Sequence, residues 1–192
     1  RKAWGAKPGR RIVLLPGRLT RWKGQLVAIE AIAELGRQDV LLVLAGDAQG
    51  RDAYAGELQS AIATRHLDQA VHICGHVSDM AAAYLASDVV LSCSLEPEAF
   101  GRVAVEAQAM GRPIIATDLG GARETVRAGE TGLLIPPGDA PALARSIEAV
   151  LAMSEGERAA LAARAKAHAR ARYSRDAMCA ATLAVYERLL RC

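Results

Sequence analysis

Residues 12–45 read IVLLPGRLTRWKGQLVAIEAIAELGRQDVLLVLA, and this stretch decides the fold. A short apolar run over 12–16 gives way to a basic loop over 17–24 that begins and ends in glycine. A helical pattern follows over 25–35, and a second apolar run covers 40–45. Short apolar runs bounded by turn residues read as buried strands. Strands alternating with helices predict a parallel sheet with helices on both faces.

The alternation continues outward from this unit. Further strands are expected at 71–74, 89–92, 113–116 and 133–135, and helices at 52–65, 80–86, 101–110, 123–128 and 141–153. After Gly138-Asp139 the pattern becomes almost pure helix. An Ala-rich basic helix is expected over 155–172. A last amphipathic helix is expected over 176–190, with Met178, Leu183, Val185, Tyr186 and Leu189 as its apolar residues. The expected architecture is one α/β domain over 1–172 with a helical tail over 173–192.

Composition bounds the function classes. Hydrophobic residues make up 52% but many are Ala, and aromatics are only 4%. Ala is the best helix former, whereas strands favour β-branched and aromatic residues, so an all-β sandwich is disfavoured. A length of 192 residues allows one generous domain with a sizeable core. The net charge of +3 is too small to argue for nucleic acid. No apolar run approaches the length of a membrane span, and the N-terminus lacks a signal-peptide pattern. Cys74, Cys93, Cys179 and Cys192 are scattered without Cys-x-x-Cys pairing and read as reduced thiols of a cytoplasmic protein. The sequence opens at Arg1 rather than Met, so a fragment of something longer is the expectation.

Ligands of parallel α/β sheets collect at the carboxyl ends of the strands. The most polar and Gly-rich segments lie there: 17–24, 46–50, 75–79, 94–101 and 118–121. In the first, Gly17 permits a tight turn while Arg18 and Lys23 place two cations at the strand end. A guanidinium fork and an ammonium suit a diphosphate. Neither Gly-x-Gly-x-x-Gly nor Gly-x4-Gly-Lys-Ser/Thr is present, which argues against a dehydrogenase or a P-loop. In the fourth segment, Glu98-Ala99-Phe100-Gly101 leads into Arg102-Val103-Ala104-Val105-Glu106. A helix starting near Gly101 offers unpaired N–H groups to a phosphate. It would set the Glu98 and Glu106 carboxylates roughly 10 Å apart on either side of that phosphate. Hydroxyl-rich groups at both ends and a diphosphate between them describe a nucleotide-sugar. The simpler account of each segment is solvated surface charge, and it is their combination that points to a ligand.

Three other features invite a reading. His72, Cys74 and His76 alternate along a strand, but no fourth ligand accompanies them and no metal is expected. Trp22 suits either a cover for the ligand site or a partly buried anchor. The basic tail, Arg158 to Arg175, suits a solvated helix face, with weak peripheral contact to anionic lipid at the inner face of a membrane as the alternative.

Taken together, the segments resemble the retaining, GT-B-type glycosyltransferases grouped as family 4. The matching pieces are Gly17-Arg18-Leu19 with Lys23-Gly24, Gly75-His76-Val77, and Glu98-x-Phe100-Gly101 with Glu106. Gly111-x-Pro113, Gly120-Gly121 with Glu124, and Gly129-x-x-Gly132-x-Leu134 complete the set in family order. The resemblance covers the C-terminal, Rossmann-like donor half of such an enzyme, and the acceptor-binding N-terminal half has no counterpart here.

It implies that Arg18 and Lys23 contact the donor diphosphate and that Glu98 binds the transferred sugar. Phe100, Gly101 and Arg102 would present N–H groups to sugar and phosphates, Glu106 would grip the ribose, and the base would lie near His76-Val77. Gly17 lines the same site, and Arg102 replaces the aliphatic residue of many relatives. The implied reaction is sugar transfer with retention, without a metal, in glycan or polysaccharide biosynthesis. The acceptor, whether glycan, lipid or small molecule, would be bound through the missing half, toward which the last helix would dock. This chain alone would be inactive. Two other readings use the same scaffold: a non-enzymatic nucleotide-sugar-binding module and, lower, a nucleotide-sugar epimerase.

Overall fold

In the computed structural model, residues 1–50 and 52–191 are described. Six parallel strands form one sheet: β1 (Arg11–Pro16), β2 (Val40–Ala45), β3 (Val71–Gly75), β4 (Val89–Ser92), β5 (Ile114–Thr117) and β6 (Leu133–Ile135). Their order across the sheet is β3-β2-β1-β4-β5-β6. The chain steps outward one way from β1 to β3, then returns to β1's other side with β4. That reversal opens a crevice beyond the carboxyl ends of β1 and β4, the usual ligand position in such sheets.

The helices are α1 (Gln25–Leu35), α2 (Asp52–Thr64), α3 (Met80–Ala86), α4 (Arg102–Ala109), α5 (Ala122–Thr125), α6 (Ala140–Ala152), α7 (Glu155–Tyr173) and α8 (Arg175–Leu190). Strand side chains alternate between two apolar layers, as period two requires. Val13, Leu15, Leu42 and Leu44 face α1, α2 and α6 through Ile29, Ile32, Leu58, Leu143 and Ile147. Ile12, Leu14, Leu41 and Val43 face α3 and α4 through Ala83, Tyr84, Ala104 and Ala107. The sheet is therefore buried on both faces, which explains its near-continuous apolar strands.

Several expected bounds shift, most of them by one residue. Helix α5 ends at Thr125 instead of running to residue 128, because Val126 turns extended. The buried Gln108 Nε2 donates to the Thr125 carbonyl at 2.8 Å, occupying an acceptor that a longer helix would use. The expected strand over 113–116 is displaced by one residue to Ile114–Thr117. The final helix forms over Arg175–Leu190, but none of its residues is buried, and Met178, Leu183, Val185, Tyr186 and Leu189 are all exposed. Cys74, Cys93 and Cys179 are free thiols, and Cys192 lies outside the described residues. No described helix is long and apolar enough to cross a membrane.

Candidate functional site

A cleft of ≈ 720 Å³ lies at the crevice between the β1 and β4 ends. Gly17, Arg18 and Lys23 line it from the loop after β1, and His76 and Val77 from the loop after β3. Glu98, Phe100, Gly101, Arg102 and Glu106 line it from the loop after β4 and from α4. Every residue expected at the donor site thus lines this one cleft. Trp22 is half-buried and also lines the cleft, a placement that fits both of its readings.

The first loop is anchored from below. Gln25, wholly buried at the start of α1, donates through Nε2 to the Arg18 carbonyl at 2.8 Å, and its Oε1 accepts from Tyr54 OH at 3.2 Å. A 3-10 turn over Arg21–Lys23 then ends at Gly24, whose φ is 74°. A Cβ there would lie 2.0 Å from the Cys93 carbonyl oxygen, so only glycine lets the loops after β1 and β4 touch. The contact continues in a 2.7 Å bond from Leu95 N–H to the Trp22 carbonyl.

This approach brings Lys23 to Glu98. Lys23 Nζ lies 2.8 Å from Glu98 Oε2, with the side chains 14% and 22% exposed. The same ammonium sits 4.3 Å from the Trp22 ring centroid, a cation–π distance. The other oxygen of Glu98 accepts from Ser94 Oγ. Ser94 is itself buried, and its carbonyl accepts from Thr117 Oγ1 at 2.8 Å. The Glu98 loop also rests on Gly121, which donates to the Glu98 carbonyl at 2.7 Å. A Cβ on Gly121 would lie 2.7 Å from Phe100 Cα, so the loop could not sit so low on any other residue.

Helix α4 begins at Arg102, with Gly101 as its N-cap at φ 73°. No side chain caps this end; Ala104 N–H donates to the Gly101 carbonyl at 3.1 Å, while the N–H groups of Arg102 and Val103 have no intrahelical acceptor and are left for an anion. Arg102 and Glu106 stand one turn apart on α4, both lining the cleft. Glu106 Oε2 accepts from Tyr84 OH at 2.7 Å. Arg18 and Arg102 form no side-chain hydrogen bond or salt bridge with another described residue. The site therefore offers two unpaired guanidiniums and one shared ammonium between two carboxylates held by neutral donors. Such a set can take an anion in the middle and hydroxyl groups at either end.

Sequence reasoning missed Tyr84, Ser94 and Gln25. Ser94 lies four residues before Glu98 and gave a faint signal, whereas Tyr84 and Gln25 act across folds of the chain. His72, Cys74 and His76 form no metal cluster, since no group of three or more His, Cys, Asp or Glu among the described residues is arranged to hold a metal ion.

Comparison with known proteins gives a consistent picture. A D-inositol 3-phosphate glycosyltransferase of Xylanimonas cellulosilytica is 37% identical over 187 residues, covering 91% of this chain and 42% of that protein. The chain thus spans less than half the length of that relative. An Anabaena protein, HepE, solved in complex with UDP-glucose, superposes with a TM-score of 0.89 at 33% identity, covering 100% of this chain and 51% of that one. The C-terminal domain of a glycosyl transferase group 1 family protein (LpcC) from Francisella tularensis superposes with a TM-score of 0.79 at 26% identity, covering 91% of this chain and 92% of that one. Residues 1–168 match the family profile described as glycosyl transferases group 1. With the six-stranded Rossmann-like sheet and the cleft at its reversal point, these matches show that the chain belongs to the glycosyl transferases group 1 family, of GT-B fold.

Proposed function

We propose that this chain is the donor-binding half of a retaining, family 4 glycosyltransferase that takes its sugar from a nucleotide-sugar without a metal ion. The observation that carries the reading is the single cleft that gathers Arg18, Lys23, Glu98, Arg102 and Glu106 around the start of α4. The UDP-glucose bound to the Anabaena relative of the same fold supports it.

In this reading the diphosphate lies on Arg18, Lys23 and the first N–H groups of α4, with Arg102 as a third cation. At and just before the start of α4, Phe100, Gly101 and Arg102 present backbone N–H groups to the sugar and the phosphates. Glu98 holds hydroxyls of the transferred sugar and Glu106 the ribose, while the base lies near His76 and Val77. As the sugar–phosphate bond breaks, negative charge grows on the departing diphosphate. Cations already in place stabilise that charge without reorganisation, so they lower the barrier more than they tighten substrate binding. The acceptor, held by a second half of the enzyme, attacks from the side of the departing phosphate, which retains the anomeric configuration.

Residues 1–172 form the donor domain, and α8, within 173–192, docks toward the acceptor half. The product belongs to glycan or polysaccharide biosynthesis on the cytoplasmic side of the membrane. A non-enzymatic nucleotide-sugar-binding module would use the same cleft, and turnover by the full-length protein separates the two readings.

Calorimetric titration with UDP, GDP and ADP, each with and without EDTA, is the test. Binding of at least one that survives EDTA is the expected result. Loss of binding in EDTA would refute metal independence, and no binding of any would refute the donor site.

A further inference from the structure

We propose that Tyr84 is a positioning residue that presets Glu106 for a ribose diol, so that its hydroxyl governs how strongly the cleft prefers ribonucleotides over dideoxyribonucleotides. This rests on the reading of the cleft as a nucleotide-sugar site.

Tyr84 is only 2% exposed and lies within the apolar layer under α3 and α4. Its backbone is fixed as well, because its carbonyl accepts from Ser87 N–H at 3.0 Å and from Ser87 Oγ at 2.7 Å. The phenol therefore has little freedom, yet its OH emerges at the cleft wall and donates to Glu106 Oε2 at 2.7 Å. Glu106 has no other side-chain hydrogen bond and no salt bridge with a described residue. A surface-tethered glutamate on a helix is a flexible side chain, and the core-anchored phenol is what holds this one still.

The chemistry of the donor matters. Burial and the Glu106 charge push the Tyr84 hydroxyl well above the usual phenol range, with the Arg102 charge acting the other way. Tyr84 therefore stays a neutral donor at any working pH. A lysine or arginine in its place would fix the carboxylate but also neutralise it, whereas a phenol fixes it and leaves its charge for the ligand. A carboxylate has about four acceptor directions. Tyr84 uses one on Oε2 and leaves Oε1 without a partner among the described residues. The remaining directions on one rigid carboxylate suit two neighbouring hydroxyls better than a single one. Because the rotamer is set before the ligand arrives, less freedom is lost on binding.

The test uses the wild-type chain, Tyr84→Phe, Glu106→Gln and the double variant. Each is titrated by calorimetry with whichever of UDP, GDP and ADP binds tightest, and with its 2′,3′-dideoxy counterpart. Tyr84→Phe is expected to weaken the ribonucleotide about 3- to 10-fold, the range for one hydrogen bond, and to leave the dideoxy ligand unchanged. The double variant is expected to bind no more weakly than Glu106→Gln, since the phenol acts through that carboxylate. Unchanged dideoxy binding also shows that the variant is folded. Equal losses for both ligands, or additive losses in the double variant, would overturn the proposal. So would an unaltered Tyr84→Phe beside a weakened Glu106→Gln, a result that leaves the donor-site reading intact. A wild-type chain that binds none of the three nucleotides would overturn both.

Discussion

Replacing Glu98 by Gln should separate the two ends of the ligand, and the Lys23–Glu98 pair sets the size of the effect. At 2.8 Å and an effective dielectric of about 20, the attraction alone comes to about 6 kcal/mol. Desolvation of both partners cancels most of that, and partly exposed pairs retain a net of up to about 1 kcal/mol. In the wild-type chain a diphosphate must share Lys23 with Glu98. Removing the Glu98 charge releases the ammonium, so a bare nucleoside diphosphate should bind equally well or up to about fivefold tighter. A nucleotide-sugar gains the same release but loses charge-assisted hydrogen bonds from its sugar hydroxyls to Glu98, worth about 1.5–3 kcal/mol. The preference for nucleotide-sugar over nucleoside diphosphate should therefore fall by about 10- to 150-fold, the Lys23 contribution cancelling in the ratio. Calorimetry with UDP and UDP-glucose side by side, or with the corresponding guanosine or adenosine pair, reads this ratio directly. A Glu98→Gln chain that loses both ligands equally would refute the assignment of Glu98 to the sugar.

Three further outcomes are expected. Arg18→Ala and Lys23→Ala should each weaken nucleoside diphosphates by about 1.5–3 kcal/mol and leave the phosphate-free nucleosides unaffected, as measured by the same titrations. Gly24→Ala should destabilise the fold by about 2 kcal/mol or more, seen as a lowered melting temperature, because the new methyl would meet the Cys93 carbonyl oxygen at 2.0 Å. Burial, with Arg127 and Arg172 nearby, holds the His168 imidazole below its usual 6.5. Its contribution to stability is complete above that value and is lost as pH falls through the lowered folded value, because the unfolded chain takes up the proton first. Melting temperatures at pH 7.5 and pH 5 should therefore differ more for the wild-type chain than for His168→Gln.

The parts of the site legible in the sequence are those that local rules fix. Apolar runs and glycine-bounded loops place the strand ends, and the carboxyl-end rule then brings Gly17, Arg18, Lys23, His76, Val77 and the 98–106 segment to one side of the sheet. What stayed hidden depends on contacts between distant segments. Tyr84 sits in the alanine-rich segment Met80–Ala86, where an aromatic ring reads as core, and its packing is indeed that of a core residue. Only the fold reveals that its hydroxyl reaches Glu106. The early end of α5 is hidden for the same reason, since the Gln108 amide that takes the Thr125 carbonyl comes from α4. The Lys23–Glu98 pair spans loops that touch only because Gly24 has no Cβ.

On the proposed reading, these hidden contacts hold the carboxylates and the cations of the site in different ways. Glu98 is held by Ser94, whose carbonyl is fixed in turn by Thr117 of β5, and Glu106 is held by Tyr84 from the core beneath α3. Each carboxylate thus has a neutral hydroxyl donor anchored in buried structure. The cations are placed otherwise: Arg18 and Arg102 have no side-chain partner among the described residues, and Lys23 is shared with Glu98. The contrast follows from what each group must do. A hydrogen bond to a sugar or ribose hydroxyl weakens steeply with angle, so its acceptor gains from being fixed. Attraction between a cation and a diphosphate falls only inversely with distance, so Arg18 and Arg102 need no fixed hydrogen-bond angle to stabilise the charge that grows on the departing phosphate. Specificity for the hydroxyls is therefore carried by the carboxylates and their buried donors, while the cations, already in place in the cleft, stabilise the diphosphate charge.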